Sequence, residues 1–121
     1  MQYLLLCRFN EEAWEAIPRF EREAIMDEYH AVLDDLDRTG RHLATAKLQP
    51  AAMGRTVRHD GRAPVTDGPF METKEHLGGY HLIECGDLSE ATEIAARFPT
   101  LAVGGVMEVR PLVPDGSRWR G

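Results

Sequence analysis

The chain alternates between two hydrophobic periods. "QYLLLCR" (2–8) is a short apolar run that suits a strand, with Tyr3, Leu5 and Cys7 on one face and Leu4 and Leu6 on the other. In residues 17–40 the period changes: Ile25, Tyr29, Val32, Leu33 and Leu36 follow helical spacing and form one apolar stripe. Pro18 suits the first turn of that helix and Gly40 its stop. Residues 11–16 add a short turn before it. "HLATAKL" (42–48) predicts a strand, and 55–66 a hairpin turning at Asp60-Gly61, with Pro64 marking an edge strand. "GYHLIEC" (79–85) predicts a strand. Residues 87–98 predict a helix with Asp87 and Glu90 at capping-box spacing and Leu88, Ala91, Ile94, Ala95 and Phe98 on its buried face. "GVMEVRPLV" (105–113) predicts the last strand, and 114–121 a loose tail.

The order is strand, helix, strand, hairpin, strand, helix, strand. It predicts an α+β fold: a ferredoxin-like βαββαβ unit with a β-hairpin insert, in one domain over residues 1–113. Both helices then cover the same face of an antiparallel sheet. The strands are apolar on both faces, with Leu77 and Ile83 placed opposite Tyr80 and Leu82. Something must cover the second face. A second copy, sheet on sheet, is the simplest cover and predicts a homodimer. The alternative is that the 55–66 hairpin folds back over the sheet.

Composition narrows the function classes. The 121 residues carry 43% apolar and 28% charged side chains, in the ordinary range of globular proteins. No apolar run reaches the length of a membrane helix, and the start lacks signal-peptide features, so a cytoplasmic location is expected. The net charge of −6 argues against nucleic acid or an anionic membrane as partner. Arg118 and Arg120 in the tail are too few to change that. Cys7 and Cys85 sit in strand-like runs and read as two buried free thiols.

The densest chemistry lies in "VTDGPFMETKEHLGGY" (65–80). Asp67-Gly68-Pro69-Phe70 has full turn chemistry, with Phe70 as a core anchor. Equally, a rigid turn there aims the Asp67 carboxylate into a cavity. Thr73, Lys74 and Glu75 read as a solvated helical turn, or as binding groups, with Lys74 on an anionic substrate and Glu75 orienting it. Gly78-Gly79 marks a bulge or a close backbone approach. Gln49 ends a strand or presents an amide to a pocket mouth. His30 and His81 read as packed residues, and His42 and His59 as exposed loop-edge residues. Glu72 and His76 share a helical face only if a helix forms there, and no third metal ligand is in register. No metal site and no cofactor are expected.

The stretch "VTDGPFMETKEHLGGYHLI" resembles the core motif of the DGPF-type, YCII-related proteins. The resemblance extends to "KLQP" (47–50), "AARFP" (95–99) and "MEVRPL" (107–112). It implies the dimeric α+β barrel fold of that family and a small-molecule pocket. Relatives resemble small lyases or dehydrochlorinases with a proposed His–Asp pair, and proton-transfer lyase or isomerase chemistry is the enzyme class implied. Many DGPF-type members are encoded beside extracytoplasmic-function sigma factors, which implies a non-catalytic ligand-binding or regulatory module as the alternative. Carried over residue by residue, the motif's Asp is Asp67. The histidine of the first helix falls on either Tyr29 or His30, where Tyr29 fits the apolar spacing and DGPF-type members commonly show an aromatic. Tyr29 can donate a proton, but its ordinary pKa near 10 makes it a poor base.

Overall fold

The computed structural model describes residues 1–67 and 75–114, and of Asp67 only the backbone. Phe70, Thr73, Lys74, Arg118 and Arg120 lie outside the described residues.

Strand β1 (Gln2–Asn10) runs into a five-residue helix α1 (Glu11–Glu15), whose N-cap Asn10 accepts from the Ala13 amide at 2.9 Å. Helix α2 (Arg19–Arg38) follows, entered through Pro18 and left through Gly40 at φ 72°. Its predicted stripe is the packed one: Tyr29 and Leu36 are buried, and Met26, Val32 and Leu33 pack beside them. Strand β2 (His42–Lys47) and the hairpin strands β3 (Thr56–His59) and β4 (Pro64–Asp67) come next. The hairpin turn is stabilised by Asp60, whose carboxylate accepts from the Arg62 and Ala63 amides at 2.9 and 3.2 Å. Strand β5 (Glu75–Glu84), helix α3 (Leu88–Ala95), a 3-10 turn at Pro99–Val103 and strand β6 (Val106–Pro111) complete the chain.

The four long strands form one antiparallel sheet in the order β2-β5-β1-β6; β3 and β4 pair with each other in a separate two-stranded ribbon. The core lies between the sheet and helices α2 and α3. Tyr3, Leu5, Ile83, Leu36, Ala91, Ile94, Ala95 and Phe98 close it. The opposite face carries Leu4 and Leu6 beside Leu82 and Tyr80, with Arg8, Glu108 and Arg110 ion-paired at its β6 side. Among the described residues, the hairpin strands β3 and β4 pack mainly on each other.

Several expectations change. Glu75 and His76 are not part of a helical turn: they extend β5, opposite Asn10 and Phe9, because β1 is long enough to pair them. Gly78 is the extra residue of a bulge, with Cys7 opposite Gly79 and Arg8 opposite Leu77. That bulge reverses the alternation, so Leu77 shares the open face with Leu4 and Leu6 rather than the face of Ile83. At Gly79 a Cβ would lie 2.6 Å from the Ala46 carbonyl oxygen, the close approach its sequence suggested. Leu88, expected in the core, is 52% exposed, because α3 only begins there; the helix ends at Ala95, before Pro99. Cys85 is buried and Cys7 half-buried, both free thiols.

Candidate functional site

The helix α2 stripe lowers one polar group onto the sheet. Tyr29, 9% exposed, meets His81, 5% exposed, from β5; their Oη and Nε2 atoms are 2.5 Å apart. On the far side of the imidazole, Nδ1 lies 2.9 Å from Thr45 Oγ1 of β2. Thr45 faces His81 directly in the β2–β5 register, so both side chains leave the sheet on the helix side. Cys7 of β1 closes the other end, its Sγ 3.3 Å from Tyr29 Oη.

The partners fix the direction of each hydrogen bond. Thr45 Oγ1 donates to the Tyr80 carbonyl at 3.1 Å, so it accepts from His81 Nδ1–H. His81 Nε2 then holds the lone pair and accepts from the Tyr29 hydroxyl. The Tyr29 oxygen accepts from the weakly donating Cys7 thiol. Aromatic packing holds these groups in place. Phe98 stacks on the His81 ring at 5.2 Å with planes 4° apart, and packs against Tyr29 at 4.8 Å.

Electrostatics keep the chain neutral. Burial, and then the neighbouring His42, push the His81 pKa down to about 4. Burial, with the Cys7 sulfur beside it, holds the Tyr29 phenol far above its ordinary range. Burial also pushes the Cys7 thiol up, partly offset by its bond to Tyr29. The proton between Tyr29 and His81 therefore rests on the tyrosine. With that proton committed to His81 Nε2, the Tyr29 oxygen offers its lone pairs to a donor, the place the Cys7 thiol fills.

Of the residues singled out by sequence, Tyr29 is in this chain. His30, one residue away on α2, is exposed. Gln49 is exposed after β2, and Glu75 opens β5 at the surface. Asp67 ends β4, its backbone opposite Thr56. Sequence reasoning passed over His81 as packing and Thr45 altogether. The signal for both was weak: a lone polar residue inside each of two strands. It also misplaced His42, expected at an exposed edge and in fact buried against His81, their ring centroids 5.6 Å apart. Among the described residues no cluster of His, Cys, Asp and Glu has metal-binding geometry, and no helix is long and apolar enough to cross a membrane.

Fold and site define an α+β protein with an antiparallel sheet, helices on one face, and a neutral Tyr–His–Thr chain that runs from the helix–sheet interface to the exposed Thr45 on the edge strand. The chain belongs to the YCII-related domain family, which matches residues 1–115. It is similar to uncharacterized protein R00369 of Rhizobium meliloti (strain 1021), at 38% identity over 114 residues, covering 93% of this chain and 92% of that protein.

Proposed function

We propose that this is a homodimeric protein that binds a small molecule through Tyr29 and carries out proton-transfer chemistry of the lyase or isomerase type. The observation that carries this reading is the 2.5 Å Tyr29–His81 hydrogen bond inside the apolar core. A buried tyrosine whose proton is held by a neutral imidazole presents its oxygen as an aimed acceptor for the hydroxyl of a ligand. The Cys7 thiol, the weakest partner of Tyr29, is the one a ligand hydroxyl displaces, donating in its place. Asp67 is the proposed base and Thr73, Lys74, Glu75, Gln49 and Phe70 the proposed binding groups; His30, being exposed, is the least favoured of the set.

The strand order β2-β5-β1-β6 supports the ferredoxin-like reading, with the β3–β4 hairpin as an insert. The apolar open face of Leu4, Leu6, Tyr80 and Leu82 supports the dimeric barrel, in which two such faces meet. A cytoplasmic location goes with this reading.

One observation favours a second reading. The pKa shifts of Tyr29 and His81 oppose proton exchange at rest, since the donor holds its proton and the acceptor is a weak base. That suits a non-catalytic ligand-binding or regulatory module, acting with an extracytoplasmic-function sigma factor.

A thermal-shift screen of small organic acids and aromatic metabolites tests the site, run on wild type, Tyr29→Phe and Asp67→Asn. A ligand at about 100 times its dissociation constant stabilises by about 2.7 kcal/mol. The expected result is a ligand that shifts wild type and neither variant. A ligand that shifts all three equally overturns the reading. Turnover of that ligand, followed by solvent-deuterium incorporation, then separates enzyme from binding module.

A further inference from the structure

Asp37 and His42 lie outside the Tyr29 chain but adjoin it. Asp37 sits in the last turn of α2, where a negative charge meets the negative end of the helix dipole and lowers helix stability. Gly40, at φ 72°, reverses the chain and returns His42 to Asp37, with Nδ1 2.7 Å from Oδ1. A bulge then sets the direction of the imidazole. His42 lies opposite Ile83 and Ala44 opposite Leu82, so Leu43 is an extra residue in β2. In an unbroken register His42 would lie opposite Glu84 and point to the open face. The bulge turns it to the helix side, beside Thr45 and His81.

The His42 side chain is only 7% exposed, and its Nε2 has no hydrogen-bond partner. Among the described residues it is the one buried side-chain nitrogen or oxygen left so. Such an atom costs stability and calls for an explanation. The Asp37 carboxylate holds the proton on Nδ1, so Nε2 presents a lone pair and requires a donor. Three guanidiniums surround this end of α2, and each is ion-paired: Arg38 and Arg97 share Asp35, and Arg41 pairs with Glu90. With Asp37 also negative, an anionic ligand gains nothing here. The adjoining buried groups are aromatic: the His81 ring, with Tyr29 and Phe98 packed on it. Leu43, 46% exposed, adjoins His42 on the outermost strand β2.

We propose that His42 Nε2, oriented by Asp37, is a ligand-contacting atom that accepts a hydrogen bond from an uncharged hydroxyl on a small planar ring. The inference rests on the reading of the Tyr29–His81 region as a ligand site and names the ligand chemistry. Asp37 is a positioning residue.

The test is long-range proton–nitrogen NMR of the imidazoles in the full chain, titrated with phenol and, as the control lacking a hydroxyl, toluene. Without probe, His42 is expected as the Nδ1–H tautomer with an unbonded Nε2. Phenol is expected to shift Nε2 into the hydrogen-bonded range, and toluene to leave it. His42→Phe, which strands no ring nitrogen, is expected to fold at least as stably and to raise the phenol dissociation constant about tenfold or more. Asp37→Asn is expected to lose the tautomer preference. An Nε2 already hydrogen-bonded to internal water, no response to phenol, equal responses to phenol and toluene, or unchanged affinity in His42→Phe each overturn the proposal. Tyr29→Phe, measured alongside, separates the two readings. Loss of phenol binding there but not in His42→Phe overturns this inference and keeps the Tyr29 site. The reverse keeps the His42 site and removes Tyr29 from ligand contact.

Discussion

Tyr29 of α2 and His81 of β5 are joined by a 2.5 Å hydrogen bond across the helix–sheet interface, 52 residues apart in sequence. The bond ties a helix to the middle of the sheet, with the Cys7 thiol at one end, the Thr45 hydroxyl at the other and apolar side chains around it. Burial keeps both groups neutral.

Tyr29→Phe keeps the ring against Phe98 and removes only the hydroxyl. His81 Nε2 is then buried without a donor. A loss of about 1–3 kcal/mol is expected, read as a lower urea midpoint with an unchanged denaturant slope.

The His81 pKa of about 4, against an ordinary 6.5, makes stability depend on pH. In the unfolded chain the imidazole takes up its proton near 6.5; in the folded protein it does so only near 4. The unfolded state binds more protons in that window, so stability is full above it and falls as the pH drops through it. The loss is at most about 3 kcal/mol. Urea midpoints measured across the window should fall for wild type and fall less for His81→Gln, while the His81 ring protons titrate near 4 by NMR.

Gly79→Ala would drive a Cβ into the Ala46 backbone, where nothing can rotate aside. At Gly78 the clash is with the Phe9 ring, which can turn. Gly79→Ala should cost about 1–3 kcal/mol and more than Gly78→Ala, by thermal or urea unfolding.

Asp87 caps α3 by accepting from the Glu90 amide at 2.8 Å, while Glu90 reaches back to the Gly86 amide at 3.1 Å, one residue beyond the usual reciprocal bond. Asp87→Ala should cost about 0.5–2 kcal/mol, and Asp87→Asn much less.

The proposed dimer makes Leu6→Glu informative. Leu6 is on the open face, outside the core of the single chain. Sedimentation should find wild type as a dimer and this variant as a monomer with its helices intact by circular dichroism. A monomeric wild type would remove the sheet-on-sheet assembly from the proposal.

Much of the architecture was legible because it is written in local periods. The 3.6-residue stripe of α2, the alternation of β1, the Asp87 cap and the stop at Gly40 each need only neighbours in sequence to declare themselves. The strand and helix order followed, and with it the expectation that both helices share one face of the sheet. The resemblance carried by residues 65–83 and its flanking motifs placed the chain in its family before any contact was known.

Three features were decided by tertiary structure alone. The length of β5 depended on β1, whose Phe9 and Asn10 recruit His76 and Glu75 into the ladder and override their helix-compatible charge pattern. Facing depended on two bulges, at Gly78 and Leu43; each shifts the register by one residue and so moves Leu77 to the open face and His42 to the covered one. The polar chain depended on how α2 packs across the sheet. Cys7, Tyr29, Thr45 and His81 come from four different elements, and no period links them. A strand histidine reads alike in sequence whether it packs or carries a proton. The difference lies in desolvation and in the partners at its two nitrogens, which exist only once the chain has folded.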